Sequence, residues 1–346
     1  MARQHPHHRL VVAPMMKRTF PAYRQLLRRL TRHTLLVTEM VNVRALHHGD
    51  RESILPVAQD GPVSVQLGGS DPALLGPVAR WAVEERGYDE VDLNCGCPSD
   101  RATDSDVGAC LMKTPDAVAR AVEAMVATVD VPVTVKCRIG TVDEPLDDWG
   151  DHEAAVEDIA ALERFADLVT DAGADRVAVH ARVAVLSGLD PRANRRVPPL
   201  RHDEVHDLAE RRVDITWQCN GGVRTMADVL GHLDHVDGVM VGRAAWDDPL
   251  LFAESDRVVF DDDEAVAPDV RDVLDDVLPR WEVEGDHPGV IDLRNIEGLA
   301  GLRHGRPGAK AWRHGLSLLR QRGDVVASDV LDLWDEVAAQ VDESAA

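Results

Sequence analysis

The chain has 346 residues, 45% of them apolar, which suits one large globular domain with a smaller appendage. No apolar run is long enough to cross a bilayer, and the polar, His-rich start lacks the apolar stretch of a signal peptide. We therefore expect a cytoplasmic protein with no membrane association. The five cysteines form no CxxC pair, which argues against a disulfide scaffold and a zinc site, so no metal is expected.

The charge balance is strongly acidic. There are 38 Lys and Arg residues, only four of them lysines, against 61 Asp and Glu residues, and the net charge is −23. Taken alone, this charge argues against a nucleic-acid-binding protein, because phosphates would be repelled. Adaptation to a salty cytosol is the alternative cause, since salt screens such repulsion within a few ångströms. In that case, local arginine clusters decide what is bound.

Short apolar segments alternate with helical patterns along the first two thirds of the chain. Eight segments are predicted as strands: residues 10–15, 35–40, 63–67, 90–95, 131–137, 176–180, 214–219 and 238–241. Helices are predicted at 72–85 and 117–129, and apolar residues recur at helical spacing within 156–169. This order predicts the α/β class, as a (β/α)₈ TIM barrel of parallel strands. A doubly wound open sheet is the rival, but no GxGxxG motif follows an early strand.

The pattern changes after residue 252. Strand signals stop, and the apolar residues that follow recur at helical spacing. We predict a TIM barrel over residues 1–255, an acidic linker over 256–268 and a C-terminal all-helical domain over 269–346. One of its helices, over 308–319, carries Lys310 and Arg313.

Polar residues collect where the predicted strands end. Cys97 lies between Gly96 and Pro98 at the end of the fourth strand, just after Asn94. Gln66, Lys136 and His180 hold similar places on the third, fifth and sixth strands. Each has an ordinary structural interpretation, such as a small buried cysteine or a core histidine. Their common position at one rim of a barrel, where such proteins place their active sites, favours a functional one.

The ends of the last two strands suggest a phosphate site. The seventh strand is followed by Asn220, Gly221 and Gly222, and the eighth by Gly242 and Arg243. Glycines allow backbone N–H groups to approach a phosphate, and the arginine adds positive charge. One such pair could simply form a tight turn. Two pairs, after the two strands where barrels usually hold phosphate, favour the phosphate interpretation.

An ordered series of motifs closely resembles the tRNA-dihydrouridine synthases, in particular the bacterial A-type subfamily. The motifs are APM at 13–15, TEM at 38–40, QLGGSDP at 66–72, NCGCPSDR at 94–101, GACLM at 108–112, VPVTVKCRIG at 131–140, HAR at 180–182, LSGLDPRANRRVPPL at 186–200, NGG at 220–222, DGVMVGR at 237–243 and PGAKAWR at 307–313. The likeness spans residues 10–313. The chain departs from the subfamily at KRTFPAYR, residues 17–24, and has Lys310 where an arginine is more usual.

The resemblance implies an FMN barrel with a helical tRNA-binding domain, and NADPH as the reductant. Cys97 would be the general acid. The flavin ring would be contacted by Pro14, Met15, Met16, Gln66, Lys136 and His180, and its phosphate by Asn220, Gly221, Gly222, Gly242 and Arg243. The tRNA would be contacted by Asn94, Arg192, Arg195, Lys310 and Arg313, and no protein partner is implied.

The implied reaction adds hydride to C6 and a proton to C5 of a uridine, at U20 and U20a of the D-loop in A-type members. A cysteine thiol can donate that proton at neutral pH. Two rival functions stay open at this stage. One is an FMN oxidoreductase of a free pyrimidine, similar to dihydroorotate dehydrogenases, and the other is a tRNA-binding factor without catalysis.

Overall fold

The computed structural model describes residues 6–58, 61–98, 107–149, 152–282 and 289–345. They form two compact units. The first is made of Met1–Met16 and Thr34–Gly242, and the second of Lys17–His33 and Arg243–Ala346. This division differs from the predicted border at residue 255, and it assigns the segment after the first strand to the second unit.

Eleven strands lie in the first unit, within its described residues. They are β1 (Leu10–Val12), β2 (Leu35–Val37), β3 (Val41–Asn42), β4 (Val63–Gly68), β5 (Glu90–Cys95), β6 (Val133–Arg138), β7 (Thr141–Val142), β8 (Arg176–His180), β9 (Ala184–Val185), β10 (Trp217–Asn220) and β11 (Gly238–Val241).

Eight of these strands close into a parallel barrel. Their order around the ring is β2, β1, β11, β10, β8, β6, β5 and β4, and β4 pairs again with β2. The eight correspond to the eight predicted strands, so the (β/α)₈ TIM barrel is confirmed. The short β3 pairs with the carboxyl end of β4, while β7 and β9 form a separate parallel pair beyond the ring. The strands are buried on both faces, as expected for a sheet that is covered by helices.

Helices follow most strands of this unit. They are α2 (Val43–His48), α3 (Arg51–Ile54), α4 (Pro72–Glu84), α5 (Pro115–Val126), α6 (His152–Asp171), α7 (His202–Arg211) and α8 (Met226–Leu233). Polar side chains fix several of their starts. The Asp71 carboxylate accepts from the N–H of Ala73 at the start of α4. Thr225 and Asp228 form a capping box at the start of α8.

One half of the barrel interior is apolar. Its cluster consists of Val11, Ala13, Leu35, Val37, Ala178 and Met240. Ala178 lies on β8, which is not a sheet neighbour of β1 or β2, so the cluster must cross the inside of the ring. Ala178 pairs in register with Lys136 of β6, and Lys136 pairs with Asn94 of β5. These two polar residues therefore also face the interior.

The second unit is helical and includes a segment from near the N-terminus. Its helices are α1 (Pro21–Leu30), α9 (Arg243–Asp247), α10 (Ser255–Phe260), α11 (Val270–Val277), α12 (Leu293–Gly298), α13 (Ala309–Arg322) and α14 (Ala327–Ala345). Tyr23 of α1 is fully buried with its ring centroid 4.7 Å from that of Trp246, and its hydroxyl donates to the carbonyl of Ala245. Trp312 packs edge-on against Trp334 at 5.2 Å. The predicted C-terminal helices are confirmed.

The segment predicted as an acidic linker begins inside helix α10. Asp256 is buried, and its carboxylate accepts from the Thr31 hydroxyl at 2.6 Å and from the N–H of Arg32 at 2.7 Å. The acidic composition suggested a linker, but this carboxylate accepts hydrogen bonds from donors just after the end of α1. Among the helices of the described residues, none is long and apolar enough to span a membrane.

Candidate active site

The turn that carries Cys97 is held by the side chain of Asn94. The Asn94 Oδ1 accepts from the N–H of Gly96 at 3.2 Å and from the N–H of Cys97 at 3.0 Å. The Cys97 carbonyl accepts from the N–H of Ala109 at 2.8 Å. The Cys97 thiol is free of disulfides and half-buried. The turn thus fixes a partly accessible thiol at the carboxyl end of β5; residues 99–101 of the same motif lie outside the described residues.

The other end of the Asn94 amide is also used. Its Nδ2 donates to Gln66 Oε1 at 2.7 Å, and Gln66 Nε2 donates to Asp92 Oδ2 at 2.7 Å. The Asp92 Oδ1 accepts from the Thr134 hydroxyl at 2.9 Å. All of these side chains are buried. A hydrogen-bonded chain across β6, β5 and β4 therefore ends at the Cys97 turn, and it gives Asn94 a positioning role that the sequence did not predict.

Asp92 and Lys136 are two titratable groups of opposite charge inside the barrel. Burial raises the pKa of Asp92 to about 7, the hydrogen bond from Gln66 opposes this shift, and the Glu90 carboxylate adds to it. Burial lowers the pKa of Lys136 to about 8, Arg138 lowers it further and Asp92 opposes the shift. Each group favours the charged form of the other, and a cation is retained at the barrel mouth at neutral pH.

Arg138 connects the Cys97 turn to the end of β8. Its Nε donates to the carbonyl of Gly96 at 3.0 Å, and its Nη1 lies 3.4 Å from the Nδ1 of His180. Burial lowers the pKa of Arg138 to about 10; Cys97 opposes this shift, while Arg195 and Arg182 add to it. Cys97, His180 and Arg195 are thus brought together around one buried guanidinium.

The loop after β9 carries two of the predicted tRNA contacts, Arg192 and Arg195. Asn194 is fully buried, and its amide bonds both the N–H and the carbonyl of Val185, at 2.8 and 2.9 Å. Its backbone carbonyl also accepts from Arg138 Nη1 at 3.4 Å. Arg192 is exposed and Arg195 is half-buried on either side of it. Asn194 therefore anchors the loop while leaving Arg192 at the surface.

The predicted phosphate turns have backbone conformations that favour glycine. Gly221 and Gly222 have φ of +111° and +77°, and the Gly221 carbonyl accepts from His202 Nε2 at 2.7 Å. A Cβ at Gly242 would meet no atom within 4 Å, so there is open space beside that backbone. The Asn220 amide is directed to a neighbouring strand, donating to the carbonyl of Met240 at 2.6 Å. Arg243 follows as the first residue of α9, in the second unit.

The end of β1 is partly open. The N–H of Ala13 still donates to Val241 at 2.8 Å, but Pro14 and Met15 are half-buried and Met16 is 60% exposed. In the second unit, Lys310 and Arg313 are exposed one turn apart on α13, while Trp312 between them is buried.

Two residues of this site were missed by the sequence analysis. Asp92 precedes Asn94 by two positions, and Arg138 follows Lys136 by two, so both share the inward face of their strands. The signal available in the sequence was the alternation of side chains along a strand, which places every second residue on the same face. It was missed because a charged residue within an apolar strand does not by itself show which face it occupies.

The chain is similar to a known protein family and to curated bacterial proteins. The family model described as "Dihydrouridine synthase (Dus)" matches residues 11–328. The chain is 43% identical over 309 residues to a tRNA-dihydrouridine(20/20a) synthase of Synechocystis, covering 89% of this chain and 88% of that protein. It is 42% identical to the synthase of that name from Xanthomonas campestris, covering 89% and 88%. For the Escherichia coli protein the identity is 40%, covering 90% of each chain.

Proposed function

The chain belongs to the dihydrouridine synthase family, and from this premise we propose that it reduces the C5=C6 bond of uridine in tRNA to 5,6-dihydrouridine. Positions 20 and 20a of the D-loop are the proposed targets, since its relatives carry those positions in their names. The observation that carries the proposal is the half-buried Cys97 thiol, held on a braced turn at the barrel mouth beside Arg138.

FMN is the proposed cofactor, with NADPH as its reductant. The backbone at the ends of β10 and β11 fits a flavin phosphate. Gly221 and Gly222 have positive φ and there is open space beside Gly242, so backbone N–H groups could approach the phosphate closely. They would hold the phosphate together with Asn220 and Arg243. Pro14, Met15, Met16, Gln66, Lys136 and His180 would contact the ring. When bound, the flavin supplies the hydride for C6.

The protein's own part in the chemistry is to hold a proton donor in place. The Cys97 Sγ–H gives its proton to C5 of the uracil ring, and the resulting thiolate is reprotonated from water. Asn94 restricts the turn so that the thiol keeps one position, and Arg138 places a positive charge where a thiolate forms. Lys136 adds a cation at the same mouth, which favours an anionic ring or phosphate.

Recognition of tRNA is assigned to separate basic groups in the two units. Arg192 and Arg195 extend from the Asn194-anchored loop of the barrel, and Lys310 and Arg313 from helix α13. Phosphate contacts of this kind give affinity that falls steeply with salt. A target base in a folded tRNA must also be unstacked before it reaches the thiol, which costs a few kcal/mol.

Replacement of Cys97 tests the catalytic part of the proposal. Cys97→Ala should keep the yellow flavin and its reduction by NADPH, but lose at least about 100-fold in dihydrouridine formation on tRNA from a deletion strain. Cys95→Ala is the matched control, because it removes a buried thiol only two residues earlier, at the end of β5. Retention of full activity in Cys97→Ala would remove Cys97 from its role.

Substrate choice is tested separately. The unchanged protein should reduce uridine in tRNA and leave free uracil and orotate unchanged, and the reverse preference would indicate a free-pyrimidine oxidoreductase. Protein that binds tRNA but holds no flavin would be a binding factor.

Arg313→Ala should weaken tRNA binding, whereas Arg320→Ala, on the same helix but paired with Glu297 at 3.4 Å, serves as the control.

A further inference from the structure

A group of histidines and one cysteine lies outside the barrel ring, away from the interior side chains described above. Its members come from three consecutive elements: His202 and His206 from α7, Cys219 from β10, and His232 and His235 at and just after α8. Cys219 is buried on the outer face of its strand, since its neighbours Gln218 and Asn220 face the interior. The proposed reaction uses none of these five side chains.

Three of them already have donor atoms at distances close to those of a metal site. One ligand atom each of His202, Cys219 and His232 lies within 4.8 Å of the other two. In a tetrahedral zinc site the donor atoms are roughly 3.3–3.7 Å apart, as follows from Zn–N and Zn–S bonds of about 2.0 and 2.3 Å. Closing the group around an ion therefore requires movements of about 1 Å, which side-chain rotations supply.

The hydrogen bonds of the two histidines favour the same conclusion. His202 Nε2 lies 2.7 Å from the carbonyl of Gly221, which can only accept, so Nε2 carries the hydrogen and Nδ1 carries the lone pair. His232 Nδ1 lies 2.9 Å from His206 Nε2, which orients the imidazole through one nitrogen. A ligating histidine typically engages its other ring nitrogen in this way.

The geometry points to a binding site for a zinc-like divalent cation, ligated by His202, Cys219 and His232, with a water molecule as the fourth ligand. Imidazole and thiolate ligands select such an ion over Mg²⁺ or Ca²⁺. The Cys219 thiol releases its proton to solvent when the ion binds. The absence of a CxxC pair argued against zinc, but that argument applies only to sites built from paired cysteines. The site is independent of the proposed function.

Such an ion would connect α7, β10 and α8 around the turn that contains Gly221. Because the unfolded chain does not hold these ligands together, bound metal should stabilise the first unit. The thermal midpoint of metal-loaded protein should exceed that of chelator-treated protein, and the difference should disappear in Cys219→Ser.

The test uses the purified full chain after chelator treatment. Co²⁺ titration should give visible d–d bands and a near-ultraviolet thiolate-to-cobalt band that saturate at one ion per chain. Zn²⁺ should displace the Co²⁺. Histidines near the N-terminus, such as His7 and His8, cannot give the thiolate band, so the band reports a cysteine ligand, and its loss in Cys219→Ser assigns that ligand.

Two ligand variants and two matched controls decide the outcome. Cys219→Ser and His232→Gln should each weaken metal binding by about 100-fold or more. Cys137→Ser, which changes another buried cysteine, and His235→Gln, which changes an exposed histidine bonded to Glu210, should bind as the unchanged chain does. Far-ultraviolet circular dichroism checks that each variant is folded. A thiolate band that survives in Cys219→Ser, or no thiolate band in the unchanged chain, would overturn the proposal.

Discussion

The two halves of the barrel interior are built on different principles. On the side of β1, β2 and β11, the inward residues are apolar and pack across the ring, as in Val11, Val37 and Met240. On the side of β4, β5 and β6, they are polar and joined by hydrogen bonds. The apolar half excludes water at little electrostatic cost, whereas a buried polar group in the other half is costly unless it is hydrogen-bonded.

This difference indicates that the polar half is the one suited to the proposed proton transfer. The polar half runs from the Glu90–Arg176 ion pair, with nitrogen–oxygen distances of 2.7 and 2.8 Å, through Asp92 to the Cys97 turn. Hydrogen bonds are directional, so they fix the positions of the atoms they join. The Asn94 bonds to the Cys97 turn restrict the position of the thiol in the same way. Apolar packing constrains the volume of a side chain more than its orientation. We therefore expect changes in the polar half to affect both stability and activity, and changes in the apolar half to affect stability alone.

The largest expected effect is the loss of the buried ion pair. Glu90→Ala leaves the Arg176 guanidinium buried without its carboxylate and should lower the free energy of unfolding by about 3–5 kcal/mol, measured by urea denaturation. Asp214→Ala removes a carboxylate from the exposed pair with Arg212 and should have a much smaller effect, because solvent screens that pair. Equal losses from the two variants would contradict the distinction between buried and exposed pairs.

Next in size is the loss of the Asn94 bonds to the Cys97 turn. Asn94→Ala should lower kcat for tRNA reduction by about 100-fold, or about 2.7 kcal/mol, because the thiol loses its fixed position. The KM for tRNA should stay unchanged, and flavin should still bind. A raised KM at constant kcat would instead support the predicted contact between Asn94 and tRNA.

A change in the apolar half should separate stability from catalysis. Val37→Ala removes two buried methyl groups and should lower the free energy of unfolding by about 2 kcal/mol. The activity of the protein that remains folded should be unchanged. Val213→Ala, at a valine that is 86% exposed, should leave stability almost unchanged. If Val37→Ala lowered kcat of the folded protein, the apolar half would also be positioning the site.

The last prediction concerns the pH dependence of stability. Because the pKa of Asp92 is raised from 3.8 to about 7 in the folded protein, the folded state holds its proton more tightly than the unfolded state. The Asp92 contribution is therefore greatest below about pH 4 and is lost as the pH rises to about 7. Asp92→Asn should remove this decline from urea denaturation curves measured across that range. An unchanged pH profile would mean that Asp92 ionises freely in the fold.

The sequence by itself determined the barrel and indicated where a candidate site would lie. Eight apolar segments alternating with helical patterns require a parallel sheet, and the carboxyl ends of its strands bring Gln66, Cys97, Lys136 and His180 to one rim. The paired glycines at Gly221 and Gly222 were equally visible, because their backbone conformation excludes most other residues. These features follow from local patterns and from chain order.

Only the tertiary structure decided which side chains meet. Asn94 bonds Gln66 from 28 positions away in sequence, Asp256 satisfies donors 224 positions before it, and the histidines of α7 and α8 converge on Cys219. The physical reason is that a hydrogen bond or a metal ligand depends on distance and direction to within a fraction of an ångström. Strand register and helix packing set those quantities, and the spacing of residues along the chain does not.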